Sequence, residues 1–219
     1  MENLMENMTV KKVKLPKEIG KAYVIDGALS YGEIRSIYSG SLAGEYTFTQ
    51  QSEGLSNIAN TRLARHIGNG DSELGEHFAI LLDRVMNKFK EEHKFDTALM
   101  ASEIYINMSD AMTTTLPHTD RPKGCWTLLY YANYEWDIKY GGQTNFLDDN
   151  MEILAAVIPK PGRFILFEAN ILHQATPPTF YCPFKRLTIA SKLDPIEDFP
   201  ENEYNEIKDE YVATNTCWN

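Results

Sequence analysis

Hydrophobic positions along this chain follow two different periods. Leu74, Phe78, Leu81, Leu82, Val85 and Phe89 recur every three or four residues. They therefore share one face of a helix, predicted over about 72–92. Asp71 or Ser72 can cap it, and Glu73 and Glu76 suit its first turn. A shorter helix is predicted after Ser30, through Glu33 and Ile37, and the stretch 42–60, rich in Gly, Ser, Gln and Asn, reads as a long loop. From about residue 98 the pattern changes to short runs of β-branched and aromatic residues separated by turns. Strands are predicted at 100–108, 126–133, 144–147, 153–157, 164–167 and 186–193. Gly141 with Gly142, 148–150, 159–162 and Pro177 with Pro178 supply the turn signals between them. Short strands at this spacing indicate a mainly β (α+β) sandwich or jelly roll, with the earlier helices packed outside one sheet.

The residues able to carry chemistry cluster at the predicted strand ends. His118 and Asp120 stand two positions apart in TLPHTD, and His173 follows Asp120 by fifty-three positions in FEANILHQATPP. If 116–120 is extended, side chains two apart point the same way, so both can reach one ion while Thr119 faces elsewhere. Two imidazoles and a carboxylate form the ligand set of non-heme iron(II) oxygenases, which leaves three coordination positions open. Arg186 opens the run RLTIASKL thirteen positions after His173. Its guanidinium can bind a carboxylate through two hydrogen bonds, as a two-oxo acid with a distal carboxylate would require. His66, His77 and His93 lack such company and read as surface or helix-face residues.

Bulk properties narrow the picture further. At 219 residues the chain is long enough for one well-buried domain, taken here to span 1–219 with core motifs at about 98–193 and an acidic tail at 194–219. A formal charge of −10 argues against gripping nucleic acid through a broad basic surface. The three cysteines, Cys125, Cys182 and Cys217, are widely spaced and read as free thiols. With a polar start and no long apolar run, the expectation is a cytoplasmic protein that does not enter membranes.

The ordered series PHTD, TLLYYANYEWDIKYGGQTNFL, VIPKPGRFILF and HQATPP, followed by the arginine-led strand, resembles the iron(II)- and 2-oxoglutarate-dependent dioxygenases. Within them it is most similar to the prolyl 4-hydroxylase-like branch, through the GGxTxF element at Gly141, Gly142, Thr144 and Phe146 and the PKPG that follows. The resemblance covers a little under half the chain. It implies a double-stranded β-helix (jelly roll, cupin-like), with Fe(II), 2-oxoglutarate and dioxygen as cofactor and cosubstrates, succinate and carbon dioxide as products, and ascorbate as a further candidate. Carried over by motif, His118, Asp120 and His173 would bind the metal and Arg186 the distal carboxylate of 2-oxoglutarate. Tyr131 would place a hydroxyl near that cosubstrate, and Tyr105 and Asn107, on the strand before PHTD, would face the pocket. The thirteen-residue step from His173 to Arg186 is wider than the family's usual spacing. A loop insertion in PPTFYCPFK explains it, and Lys185 remains a competitor for the same role. Related halogenases lack the carboxylate ligand, so the presence of Asp120 favours hydroxylation.

The leading expectation is hydroxylation of a prolyl residue in a peptide or protein. A second keeps the cofactors and changes the substrate to a free amino acid, another small metabolite or a nucleobase, with Arg121, Lys123 and Arg163 as a local basic rim. For those three cations a solvated face is the plainer reading. A third is a non-catalytic jelly-roll binding module in which the histidines are structural. Loops 42–60, 109–116 and 176–184 are expected to select the substrate.

Overall fold

The computed structural model describes residues 7–48, 63–67, 73–95, 97–113 and 115–196. Its strands run in chain order as β1 (Thr9–Lys12), β2 (Ala22–Asp26), β3 (Thr47–Phe48), β4 (Leu63–His66), β5 (Leu99–Ser109), β6 (Trp126–Tyr131), β7 (Thr144–Leu147), β8 (Ile153–Val157), β9 (Phe164–Glu168), β10 (His173–Ala175) and β11 (Arg186–Pro195). They form an eight-stranded sheet in the order β1-β2-β9-β6-β11-β5-β4-β3 and a three-stranded sheet in the order β10-β7-β8. Every strand pairing among the described residues is antiparallel. Two helices complete the fold, α1 (Tyr31–Leu42) and α2 (Glu73–His93). This is the expected double-stranded β-helix. Among the described residues no helix is long and apolar enough to cross a membrane.

Helix α1 starts where its sequence can satisfy its first amides. The Ser30 hydroxyl accepts from Glu33 N–H, and the Glu33 carboxylate accepts from Ser30 N–H at 2.7 Å, a reciprocal capping box. Helix α2 matches the predicted span, and buries Phe78, Leu81, Leu82, Val85, Met86 and Phe89. Its candidate caps, Asp71 and Ser72, lie outside the described residues. Both helices pack on the outer face of the large sheet, in one core with Ile106, Leu128, Tyr130, Phe164, Leu166, Leu187 and Ile189. The inner face forms a second core between the sheets from Leu129, Tyr131, Phe146, Val157, Ile165, Phe167 and Ala190. Alternate residues of β6, β9 and β11 thus enter different cores, which is why these strands read as unbroken apolar runs.

Several boundaries differ from expectation. β6 ends at Tyr131 instead of 133, because the Asn133 side chain takes over the pairing: its Oδ1 accepts from Leu187 N–H and its Nδ2 donates to Lys185 C=O, each at 2.8 Å. The expected loop 42–60 contains β3, whose two residues pair with β4, and residues 49–60 lie outside the described set. Strands β1, β2, β4 and β10 are also additions; each has three to five residues, too few to display a period. A register shift between Lys192 and Leu193 leaves Ser102 of β5 unpaired. This bulge keeps Tyr105 and Asn107 facing inward while Ala101 and Leu99 join the outer core. The acidic segment expected from 194 begins as strand, since β11 runs to Pro195.

One half-buried ion pair ties β2 to the turn before β9. Arg163 donates to both carboxylate oxygens of Asp26 at 2.8 Å, and to Ile158 C=O at 2.9 Å. Burial alone would raise the Asp26 carboxyl, but Arg163 outweighs it and holds that group below its ordinary value. Asp26→Asn is therefore expected to cost about 1–3 kcal/mol at neutral pH. A depressed folded pKa contributes fully above the unfolded value of about 3.9 and is lost as pH falls through the folded one. Urea unfolding should accordingly show a gap between parent and variant at pH 7 that narrows below about pH 4.

Candidate functional site

The three expected ligands arrive from different segments and meet at one place. His118 N–H donates to His173 C=O at 2.9 Å, and His173 N–H donates to His118 C=O at 3.0 Å. This isolated bridge sets the two imidazoles side by side, with ring centroids 4.5 Å apart. Two residues on, Asp120 N–H donates to Ala169 C=O at 2.8 Å, which anchors the carboxylate on the same side. One ligand atom from each of His118, Asp120 and His173 lies within 4.8 Å of the other two, and these three form the metal-capable cluster among the described residues.

Backbone carbonyls prepare both rings for metal binding. His118 Nδ1 lies 3.0 Å from Leu116 C=O, and His173 Nδ1 lies 2.9 Å from Ile171 C=O. A carbonyl only accepts, so each Nδ1 carries the proton and each Nε2 is left as a lone pair. The Nε2 atoms lie 3.6 Å from different oxygens of Asp120. Burial lowers the His173 pKa to about 4, partly opposed by Asp120, so this ring is neutral at pH 7. For Asp120, burial acts to raise the pKa, but His173, His118 and the Lys192 ammonium outweigh it and hold the carboxyl well below the usual range. Its oxygens have separate holders: Lys192 Nζ lies 2.5 Å from Oδ1, and the Thr127 hydroxyl donates to Oδ2 at 2.7 Å. Two imidazole nitrogens and one ionised carboxylate on a shared cavity fit a divalent cation of the Fe(II) class.

Arg186 occupies another part of the same cavity, buried at 3 % exposure. Its Nε donates to Gly142 C=O at 2.7 Å, its Nη2 to the Thr144 hydroxyl at 3.4 Å, and its guanidinium carbon sits 5.4 Å from the Tyr131 ring centroid. The Tyr131 hydroxyl donates to Val157 C=O at 2.9 Å and pairs with the Thr144 hydroxyl at 2.8 Å. A phenol has one proton, so Thr144 donates to Tyr131 and can then accept from Arg186. The three form a directed chain that aims the guanidinium. Gly142 permits this closeness: its φ is +74°, and a Cβ there would meet Trp136 Cζ2 at 3.0 Å and Arg186 Cδ at 3.2 Å.

The remaining expected residues divide. Tyr105 and Asn107 line the cavity, and the Oδ1 of buried Asn107 has no hydrogen-bond partner among the described residues. Tyr131 stands behind Thr144 and Arg186 and does not line it. Lys185 points away, pairing with exposed Asp110 at 2.5 Å, so Arg186 is the cation of the two that faces the cavity. The basic rim does not form as expected. Arg121 pairs with Glu103 at 2.7 Å and approaches Asp194 at 3.9 Å, while Arg163 is committed to Asp26. Thr127, Thr144 and Lys192 are site residues that sequence reasoning does not single out. The signal for Lys192 is its even spacing from Arg186 within an otherwise apolar strand, which places both on the inner face.

Comparison with known proteins agrees with this geometry. Residues 105–191 match the family model described as the 2OG-Fe(II) oxygenase superfamily. No curated protein matches the chain. Among solved structures, a prolyl-4-hydroxylase from Pseudomonas putida is similar over 87% of this chain and 97% of its own, with TM-score 0.59 at 13% identity. A prolyl hydroxylase from Trichoplax adhaerens, in complex with a hypoxia inducible factor oxygen degradation domain peptide fragment, is similar over 93% and 90%, with TM-score 0.59 at 15% identity. The alpha ketoglutarate dependent epimerase SnoN of nogalamycin biosynthesis is similar over 89% and 82%, with TM-score 0.62 at 14% identity. At such identities these structures establish the shared fold alone. The matched segment holds His118, Asp120, His173 and Arg186, and over it this chain is similar to the 2OG-Fe(II) oxygenase superfamily, a family described by its use of 2-oxoglutarate and Fe(II).

Proposed function

We propose that this protein is a dioxygenase that hydroxylates an unactivated carbon, with a prolyl residue of a peptide or protein as its target. The observation that carries the reading is the convergence of His118, Asp120 and His173 on a cavity that also holds Arg186. In this reading the triad holds Fe(II), Arg186 binds the distal carboxylate of 2-oxoglutarate, and Thr144 and Tyr131 orient Arg186. Tyr105 and Asn107 form the wall beside the cosubstrate, where the open Oδ1 of Asn107 can accept a hydrogen bond. When bound, the metal and cosubstrate supply the oxidising power: one atom of dioxygen enters succinate as carbon dioxide leaves, and the other enters the substrate. The protein positions the reactants, holds His173 neutral and keeps water out. The GGxTxF and PKPG elements and the prolyl hydroxylases among the structural neighbours support the prolyl target.

A small-molecule substrate is the second reading, favoured by SnoN among the neighbours. The nucleobase version loses its main support, because Arg121 and Arg163 already face carboxylates.

Anaerobic addition of Fe(II) and 2-oxoglutarate should give a visible charge-transfer band, and His118→Ala should abolish it. No band in the parent protein would end the proposal. Arg186→Ala should weaken 2-oxoglutarate binding by the equivalent of about 2–5 kcal/mol, with Arg186→Lys intermediate, in a titration of the same band. Gly142→Ala should weaken it as well, since the added methyl group displaces the guanidinium. For the target, a proline-containing peptide should stimulate iron-dependent succinate release and gain the mass of one oxygen atom. Peptides that leave succinate release unchanged would move the target to small molecules.

A further inference from the structure

Lys192 is a buried cation to which the reading above gives no part beyond holding Asp120. It is 5 % exposed, lines the cavity, and lies 2.5 Å from one oxygen of Asp120 and 5.5 Å from the Tyr105 ring centroid. Among the described residues, Asp120 is the sole acceptor within hydrogen-bond reach of its ammonium, which carries three donors. Lysine is almost never found this deep without a carboxylate to face it.

Charge counting makes that position informative once the cavity is loaded. A divalent metal and the 2-oxoglutarate dianion cancel, as do the charges of Asp120 and Arg186. The histidines add nothing when they ligate as neutral rings. Lys192 then leaves the buried site with one uncompensated positive charge. The cosubstrate cannot absorb it, because one of its carboxylates meets the metal and the other Arg186. Lys192 and Arg186 also stand six residues apart on β11, about 20 Å of strand. Arg121 does not compete for an incoming anion, being paired with Glu103 and close to Asp194.

We infer that the substrate carries a carboxylate close to the carbon that reacts, and that Lys192 receives it. This rests on the oxygenase reading of the site but not on proline as the target. A free amino acid, a chain-terminal residue or a residue beside an acidic side chain would each supply such a group. Lys192 is thereby a specificity-determining residue, distinct from the cation that holds the cosubstrate.

The test loads the protein with Co(II) in place of iron, together with 2-oxoglutarate, and follows relaxation of ¹³C-labelled acetate by the paramagnetic metal. Acetamide serves as the neutral counterpart. Saturable relaxation of acetate but not of acetamide is expected in the parent protein. Lys192→Met should weaken acetate binding at least about tenfold, and Lys192→Arg should retain most of it. Absence of acetate binding in the parent protein, equal binding of acetamide, or undiminished binding in Lys192→Met would each overturn the inference. Should the methionine variant fail to fold, Lys192→Gln takes its place in the same comparison, because acetate in the parent protein also has an open cobalt position to bind. Turnover of N-acetylproline against N-acetylprolinamide is measured in parallel. If neither is hydroxylated, the prolyl target fails while the acetate result still judges Lys192. Failure of cobalt and 2-oxoglutarate to bind together would reject the oxygenase reading itself.

Discussion

Two hydrogen bonds exchanged between His118 and His173 bring distant parts of the chain to one metal-sized space. The residues are fifty-five positions apart, and everything between them, from β6 to β9, lies inside the closed loop. Closing so long a loop costs only slightly more than closing a short one, because the penalty rises with the logarithm of length. The packed strands within it more than offset that penalty. A bridge of one residue pair is sensitive to register, since a slip of one position would turn an imidazole out of the cavity. Neighbouring bonds fix the register: Asp120 N–H to Ala169 C=O, and Ala169 N–H to Cys125 C=O at 2.9 Å.

The site also depends on a large sheet that is covered on both faces. β6 is buried along its whole length and β11 through Leu193. Outer positions fill the helix-side core, so inner positions can depart from apolar character without leaving that core underpacked. The departures are Thr127, Arg186, Thr188 and Lys192, and all of them line the cavity. Thr127 and Lys192 hold Asp120, and Arg186 is aimed by Gly142 and Thr144. A buried polar network of this kind is stable only when its members are satisfied. Asn107, which lines the cavity, is an exception, because its buried Oδ1 has no hydrogen-bond partner among the described residues.

Much of this architecture was legible in the sequence. The helix over 73–93 was readable because its apolar positions repeat for about four turns, and β7 and β8 because turn residues bracket them closely. The ligand set was readable from spacing, since His118 and Asp120 share a parity and His173 follows a buried strand. Strands β1 to β4 and β10 were not, because each is too short to show a period and takes its identity from a partner far along the chain. β2 is a strand because β9 pairs with it, across some 140 residues. Tyr131 was half legible: its strand was foreseeable, but not the threonine that stands between its hydroxyl and the cavity. Lys192 was missed for a related reason. A lysine near the end of a predicted strand looks like a solvated end, but β11 lies between β5 and β6, and the Lys192 ammonium turns in to Asp120.

The division of labour between the two cations of β11 follows from their chemistry. A guanidinium offers donors in a fixed plane, so it can bond Gly142 and Thr144 along some edges and still present others to a carboxylate. That suits a partner of constant shape, such as a cosubstrate that never varies. An ammonium is a compact charge with donors that rotate about one bond, and it tolerates variation in the group it meets. Placed against Asp120, it also holds one oxygen of the metal-facing carboxylate. Exchanging the two residues would put the rigid donor where adaptability is needed and the adaptable one where aim is needed. One strand, read at every second residue, thus separates the invariant end of the cavity from the end that must discriminate.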